Sequence, residues 1–287
     1  KGLIGVGRIP AAERDTFGET FGSLSGLALD LRTWRRAADG TYTGTLYAQP
    51  DRGITRVGAA TNYTPRTHRL DLSVTPAPNG AANQIQLGLS LADTKKLTES
   101  NGTALTSLDP ATTTAGLGTR PGFPVLPQAS TGRLSVDPEG LVLLPDGSFF
   151  ISDEYGPYLY RFSAAGVLLG AIRPPEALIP KRSGRDSFSA DNPAAGQPAP
   201  SPSEPTTGRE NNQGFEGLAA SVDGRTLYAL MQSATRQDGG AGGSSLRRHA
   251  RLLAYDISNP AAATLKGEWI LPLPLYTQAG VQQVASV

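Results

Sequence analysis

The sequence predicts an all-β protein, a β-propeller of repeated antiparallel blades. Three observations carry this: a turn-rich composition, a motif that recurs along the chain, and two-residue alternation inside each recurrence. The 287 residues include 34 Gly and 23 Pro, and only 18% are charged. Such a composition favours short strands joined by turns over a helical bundle. The length suits one domain spanning residues 1–287.

The first copy of the motif is SLSGLALD (Ser23 to Asp30), resuming as LYAQPDRG (Leu46 to Gly53) and HRLDLSV (His68 to Val74). The second and strongest runs from Asp137 to Leu169, DPEGLVLLPDGSFFISDEYGPYLYRFSAAGVLL. The third is GFEGLAASVDGRTLYALMQSATRQ, Gly214 to Gln237, followed by RLLAYDIS, Arg251 to Ser258. In each, Gly-Leu opens an apolar run, a turn follows, then a second run, a polar cluster and an alternating strand. Asp146-Gly147 and Asp223-Gly224 are hairpin signals. A further strand is expected over Gly267–Leu273.

Regular blades need about 40–50 residues, and the copies lie further apart, so insertions or unread blades separate them. Thr94 to Pro127 reads as a long loop. The Pro/Ser-rich stretch 174–213 reads as a solvated, mobile insertion. Three copies are fewer than the at least about four blades of a closed propeller. The ring is therefore expected to be incomplete in this chain, with a C-terminal fragment of the same precursor supplying the rest.

The polar cluster carries the chemistry. With Asp146-Gly147 as a two-residue turn, Leu144 pairs with Phe149, Val142 with Ile151, Gly140 with Asp153, and Glu139 with Glu154. Paired like charges destabilise a hairpin; a bound cation, a shared proton or a frayed, solvated end would each relieve the repulsion. Glu139 aligns with Glu216 and Ser25. Glu154 aligns with Asp51, and with Gln232 if the third copy's turn is one residue longer. Glu139, Asp153, Glu154, Glu216 and Asp51 thus form an expected ring of oxygen ligands, suited to calcium or magnesium. Arg52 and Tyr155 are placed at its rim, where they would hold an anionic group, with Gln232 as a further substrate contact.

Absences narrow the reading. A net charge of +1 gives no field for nucleic acid or an anionic membrane. No apolar run approaches the ~20 residues of a membrane helix. Zero Cys excludes thiolate sites, and His68 and His249 are the only histidines. Gly22-Ser23-Leu24-Ser25-Gly26 fails as a nucleophile elbow, having Leu where Ser is needed. Asn62-Tyr63-Thr64 and Asn101-Gly102-Thr103 are glycosylation sequons, which point to secretion.

The stretches DPEGLVLLPDGSFFISDEYGPYLYRF and NNQGFEGLAASVDGRTLYALMQS closely resemble the phytase-like family, "esterase-like activity of phytase". The resemblance implies an exported β-propeller whose clustered acids have enzymic or metal-binding roles, here Glu139, Asp153, Glu154 and Glu216. Asp51 and Arg52 match the first copy's polar cluster. The expected function is metal-dependent hydrolysis of phosphate esters, phosphodiesters or carboxylic esters, with Glu139 or Glu154 as general base and Arg52 steadying the developing anion. The alternative is a non-catalytic propeller that binds a ligand or partner and is clamped by a structural calcium ion.

Overall fold

A computed structural model describes residue 3 and residues 5–53, 62–77, 87–190, 193–242 and 247–284. Each copy of the motif becomes one four-stranded antiparallel meander. Sheet 1 holds β1 (Leu24–Arg36), β2 (Tyr42–Pro50), β3 (Arg66–Val74) and β4 (Leu87–Lys96). A short ribbon, β5 (Leu117–Gly118) with β6 (Leu126–Pro127), lies in the loop that follows. Sheet 2 holds β7 (Pro138–Leu143), β8 (Phe149–Asp153), β9 (Leu159–Phe162) and β10 (Leu168–Ile172). A second ribbon, β11 (Lys181–Arg182) with β12 (Arg185–Asp186), precedes sheet 3. Sheet 3 holds β13 (Phe215–Ala220), β14 (Thr226–Ala234), β15 (His249–Asp256) and β16 (Thr264–Pro272). The hairpin β17 (Leu275–Gln278) and β18 (Val281–Val284) ends the described chain.

The sheets pack face to face, because alternation gives each strand two usable faces. Sheet 2 lies in the middle. On one side Leu141, Phe149, Ile151, Tyr160 and Phe162 meet Ala28 and Tyr47 of sheet 1. On the other, Val142, Phe150 and Leu159 meet Phe215, Leu227 and Met231 of sheet 3. The first strands of the three sheets, β1, β7 and β13, lie side by side. Glycine makes this approach possible. A Cβ on Gly26 would fall 2.6 Å from the Glu139 carbonyl oxygen and 3.0 Å from Leu141 Cβ. On Gly140 it would fall 2.4 Å from Leu218 Cβ.

The hairpin register differs from the expected one by a residue. Leu143 pairs with Phe149, Leu141 with Ile151 and Pro138 with Asp153. The turn holds three residues, not two: Leu144 N–H donates to Ser148 O and Gly147 N–H to Leu144 O. Gly147 takes φ 82°, the left-handed position that completes a type I turn with a bulge. A second irregularity, between Pro138 and Leu141, shifts the inner end by one residue more, so that Glu154 N–H donates to Asp137 O and Glu139 is not paired with Glu154. The same step recurs at Ser25, between Leu24 and Gly26, and at Glu216, between Phe215 and Gly217. The turn of the third copy is one residue longer, since Ser221 N–H reaches Thr226 O.

Residues 174–213 do not behave as a solvated linker where they are described. Leu178, Ile179, Phe188, Ala190 and Arg209 are buried. Arg182 gathers the segment by donating to the carbonyls of Ser187, Ser189, Pro202 and Ser203 and to Asn211 Oδ1. Low hydrophobicity concealed this, because here a buried arginine replaces an apolar core.

Candidate functional site

The three bulges share a consequence. A residue inserted into one strand is left unpaired, and its side chain is re-aimed. The re-aimed residues are Ser25, Glu139 and Glu216, and all three line one cavity of about 240 Å³. Ser25 Oγ donates to Glu139 Oε2. Loops at the same end of the sheets complete the wall: Asp51 and Arg52 follow β2, Asp137 precedes β7, Glu154 follows β8, and Gln232 lies on β14.

Carboxylate oxygens of Asp137, Glu139 and Glu154 lie within 4.8 Å of one another, and all three residues are buried. Burial, the larger cause, then Asp137 and Glu216, push the Glu139 carboxyl up to about 9. Burial followed by Asp137 and Glu139 holds Glu154 well above the usual carboxylate range. Glu216 is half-buried and is pushed up to about 7 by burial, then by Asp137 and Asp51. Burial also raises Asp51, whose Oδ1 accepts Gly53 N–H at 2.7 Å.

Arg52 is the cation of this cavity wall. It is buried, with Nε 3.0 Å from Asp137 Oδ2 and its backbone N–H 2.9 Å from Asp137 Oδ1. Nη1 donates to the Tyr155 hydroxyl at 3.2 Å, and the guanidinium stands 5.4 Å from that ring's centre. Burial works against its charge, but Tyr155 and Asp137 more than offset that, so its pKa is raised. Glu154 accepts from Gln232 at 2.8 Å when the amide is turned nitrogen-first, an orientation that also reaches Asn212 O at 2.9 Å.

The cavity thus gathers Glu139, Glu154, Glu216 and Asp51 of the expected ring, with Arg52 and Gln232 beside them, and with two corrections. Asp153 is not a wall residue. Its oxygens are taken by the backbone N–H groups of Asp137, Tyr155 and Gly156, so it shapes the loop. Tyr155 is fully buried and donates to Ser107 O, so it is no rim residue. Arg52 lines the cavity as expected, with its guanidinium turned to Asp137. The residue that sequence reasoning passed over is Asp137. It falls two residues before Glu139 and outside the paired strand, so hairpin register gave no reason to single it out. Asn62 and Asn101 lie away from the cavity and are exposed. Asn62 Oδ1 accepts from Thr106 and Arg133.

The motif glycines now have physical reasons. A Cβ on Gly156 would fall 2.0 Å from Tyr158 Cδ2, and one on Gly214 would fall 2.2 Å from Glu154 O. Arg209, from the 174–213 segment, supports this loop from below by donating to Tyr155 O at 2.7 Å. A second cavity of about 680 Å³ shares Asp51, Arg52 and Gly53 with the first; Ile9, Pro10, Phe21, Leu24 and Tyr63 also line it.

Residues 19–284 match the phytase-like family, described as "Esterase-like activity of phytase". An uncharacterized secreted protein of Arthroderma benhamiae is 43% identical over 275 residues, covering 90% of this chain and 53% of that protein. The chain therefore spans about half the length of that relative. A Bacteroides fragilis structure, provisionally named a 6-phosphogluconolactonase, aligns over 86% of this chain and 71% of that one. Its identity is 13% and its TM-score 0.29, too slight a likeness to argue from.

Proposed function

Because this chain belongs to the phytase-like family, we propose that it is a secreted, cation-dependent hydrolase of phosphoric or carboxylic esters. The reading takes the three sheets as blades of a propeller and their shared cavity as the active site. One observation carries it: three buried carboxylates within 4.8 Å of one another, with Glu216 and Asp51 in the same wall. Without a cation, such a cluster must hold protons. The donor set is all oxygen, which fits Ca²⁺ or Mg²⁺.

Asp137, Glu139 and Glu154 would hold the ion. When bound, it would polarise an ester oxygen and lower the pKa of a water molecule. Arg52 fixes both oxygens of Asp137 and is a positioning residue, so anion stabilisation does not fall to it. Ser25 and Gln232 orient Glu139 and Glu154 by hydrogen bonds. The proton-accepting role moves from Glu139 or Glu154 to Glu216, which is less buried and stands in the same wall outside the three ion-holding carboxylates. The apolar part of the neighbouring cavity would take the organic side of an ester. With acids as its main charged lining, the site favours a substrate of low negative charge over a polyphosphate.

Secretion is supported by the name of the Arthroderma benhamiae relative and by the exposed sequons, with Asn62 and Asn101 as proposed glycan sites. Among the described residues no helix is long and apolar enough to cross a membrane. The second reading, a structural ion, is favoured by the site's construction from all three sheets. Turnover of phosphate monoesters, diesters and aryl esters, with and without chelator, separates the two. Glu216→Gln should lower kcat by about 100-fold or more with little change in KM. Calcium that raises the melting temperature without turnover of any of these esters would leave the structural reading standing and the hydrolase reading refuted.

A further inference from the structure

The 680 Å³ cavity beside the carboxylates has a construction of its own. Its volume falls within the range of about 300–1,000 Å³ typical of small-molecule sites. Among the described residues, Ile9, Pro10, Phe21, Leu24 and Tyr63 make much of its wall apolar. Arg8 and Glu13, also in that wall, carry opposite charges. Asp51, Arg52 and Gly53 border both cavities. The Arg52 guanidinium is already engaged by Asp137 and Tyr155, so the shared border is not built to capture an anion.

Both aromatic rings of the wall are fixed by buried polar groups that do not themselves line it. Tyr63 donates its hydroxyl to Thr20 O at 3.0 Å. The fully buried Arg66 guanidinium stands 3.9 Å from the centre of the Tyr63 ring. With its hydroxyl engaged and one face covered, that ring offers the cavity its other face. Phe21 lies against the buried His68, with ring centres 4.7 Å apart. Its carbonyl oxygen is 3.1 Å from His68 Nε2 and can only accept, so Nε2 carries the hydrogen. The chain before Phe21 is fastened by the same arginine. Residues 14–20 close a small hairpin, with Arg14 bridged to Thr20 and Asp15 N–H donating to Glu19 O. Arg66 pairs with both Asp15 and Glu19, and Lys96 reaches Glu19 and stands over the Phe17 ring. Burying an arginine and an imidazole costs free energy. Here both hold rings of the cavity wall in place.

We propose that this cavity is a subsite for an uncharged aromatic ring, selected by stacking on Tyr63 and Phe21. Rings held rigid favour a flat partner, whereas a flexible alkyl chain suits a pliable lining. The opposite charges of Arg8 and Glu13, and the engagement of Arg52, suit a ring without charge. Because Asp51, Arg52 and Gly53 border both cavities, a group attached to the ring is directed at the carboxylates. The substrate class that follows is an uncharged ester bearing an aromatic ring next to its ester bond. Naming an ester as substrate rests on the hydrolase reading above; the binding of a ring does not. Tyr63 and Phe21 are then specificity-determining residues, and Arg66 and His68 are positioning residues that act through them.

Naphthol and its fully hydrogenated form, decalol, share a carbon skeleton and differ in flatness. Calorimetric titration of this chain should show naphthol binding about two- to tenfold tighter than decalol, the gain that stacking adds to area burial. Phe21→Leu and Tyr63→Leu should each remove most of that preference, while Tyr63→Phe, which keeps the ring, retains it. Arg66→Met should lower the preference with both rings still present. Should that variant not fold, the two ligands on the parent protein and on Phe21→Leu decide. Val222→Ser, on an exposed outer turn, should leave the preference unchanged. With calcium present, benzyl acetate should show a KM about two- to tenfold below that of cyclohexylmethyl acetate at similar kcat. The two alcohols are comparable leaving groups, and Phe21→Leu should equalise the pair. Equal binding of naphthol and decalol, tighter binding of decalol, or a preference untouched by both leucine variants would overturn the subsite. Turnover of both acetates without preference for the ring would overturn it too. A preference for naphthol with no turnover of either acetate would uphold the ring subsite and refute the hydrolase reading.

Discussion

Glu139 carries electrostatic strain that a single neutral substitution can relieve. Its carboxyl is pushed up to about 9 and that of Glu216 to about 7, while the same groups in an unfolded chain titrate near 4.5. Between these values the native state binds more protons than the unfolded state. Stability of the metal-free protein therefore falls as pH rises through that window. Melting curves from about pH 5 to pH 9 should show this decline, and saturating Ca²⁺ should flatten it, because binding takes the carboxylates in their deprotonated form. Glu139→Gln should leave the metal-free protein at least as stable at about pH 8, since Glu139 must take up a proton on folding to be neutral there and Gln need not. The same variant should weaken calcium binding by at least about tenfold in a calorimetric titration, a loss typical even of outer-shell partners.

At the scale of elements, the inner strands can be probed one glycine at a time. Gly140→Ala should destabilise by about 1–3 kcal/mol in urea unfolding, because the new methyl meets Leu218 Cβ at 2.4 Å. Gly170→Ala, with no neighbour within 4 Å, is the matched control. The 174–213 segment makes a different demand. Arg182→Ala removes the donor for the carbonyls of Ser187, Ser189, Pro202 and Ser203 and for Asn211 Oδ1. Limited proteolysis should then cut within residues 187–211 of the variant while sparing the parent protein. The three meanders were legible because Gly-Leu runs and Asp-Gly turns recur with period-two strands between them. The register was misread by one residue because Asp-Gly serves two turn types, and only the position of Gly147 in the left-handed region separates them. Bulges leave no period of their own, so Ser25 read as an aligned residue and not as one turned into a cavity. The Pro/Ser-rich loop defeated composition because its interior is held by Arg182 and Arg209.

Across the whole molecule, the site was readable as a convergence of equivalent positions, and four of the expected acids do converge: Glu139, Glu154, Glu216 and Asp51. Asp153 and Asp137 exchanged roles, which no linear spacing encodes, since it depends on which carboxylate the backbone amides of Tyr155 and Gly156 capture. Asp153→Asn should therefore impair the cavity indirectly. It should lower melting temperature in the presence and absence of Ca²⁺ alike, whereas Asp137→Asn should remove the calcium-dependent part of the stability.

The outer turns of sheets 2 and 3 differ in length, yet Glu139 and Glu216 occupy the same place beside Glu154 and Gln232. The inner ends keep a constant offset while the periphery varies. Insertions and deletions at the rim are thus mechanically insulated from the axis. Such a molecule can acquire new surface loops, and with them new contacts, without its central carboxylates being displaced.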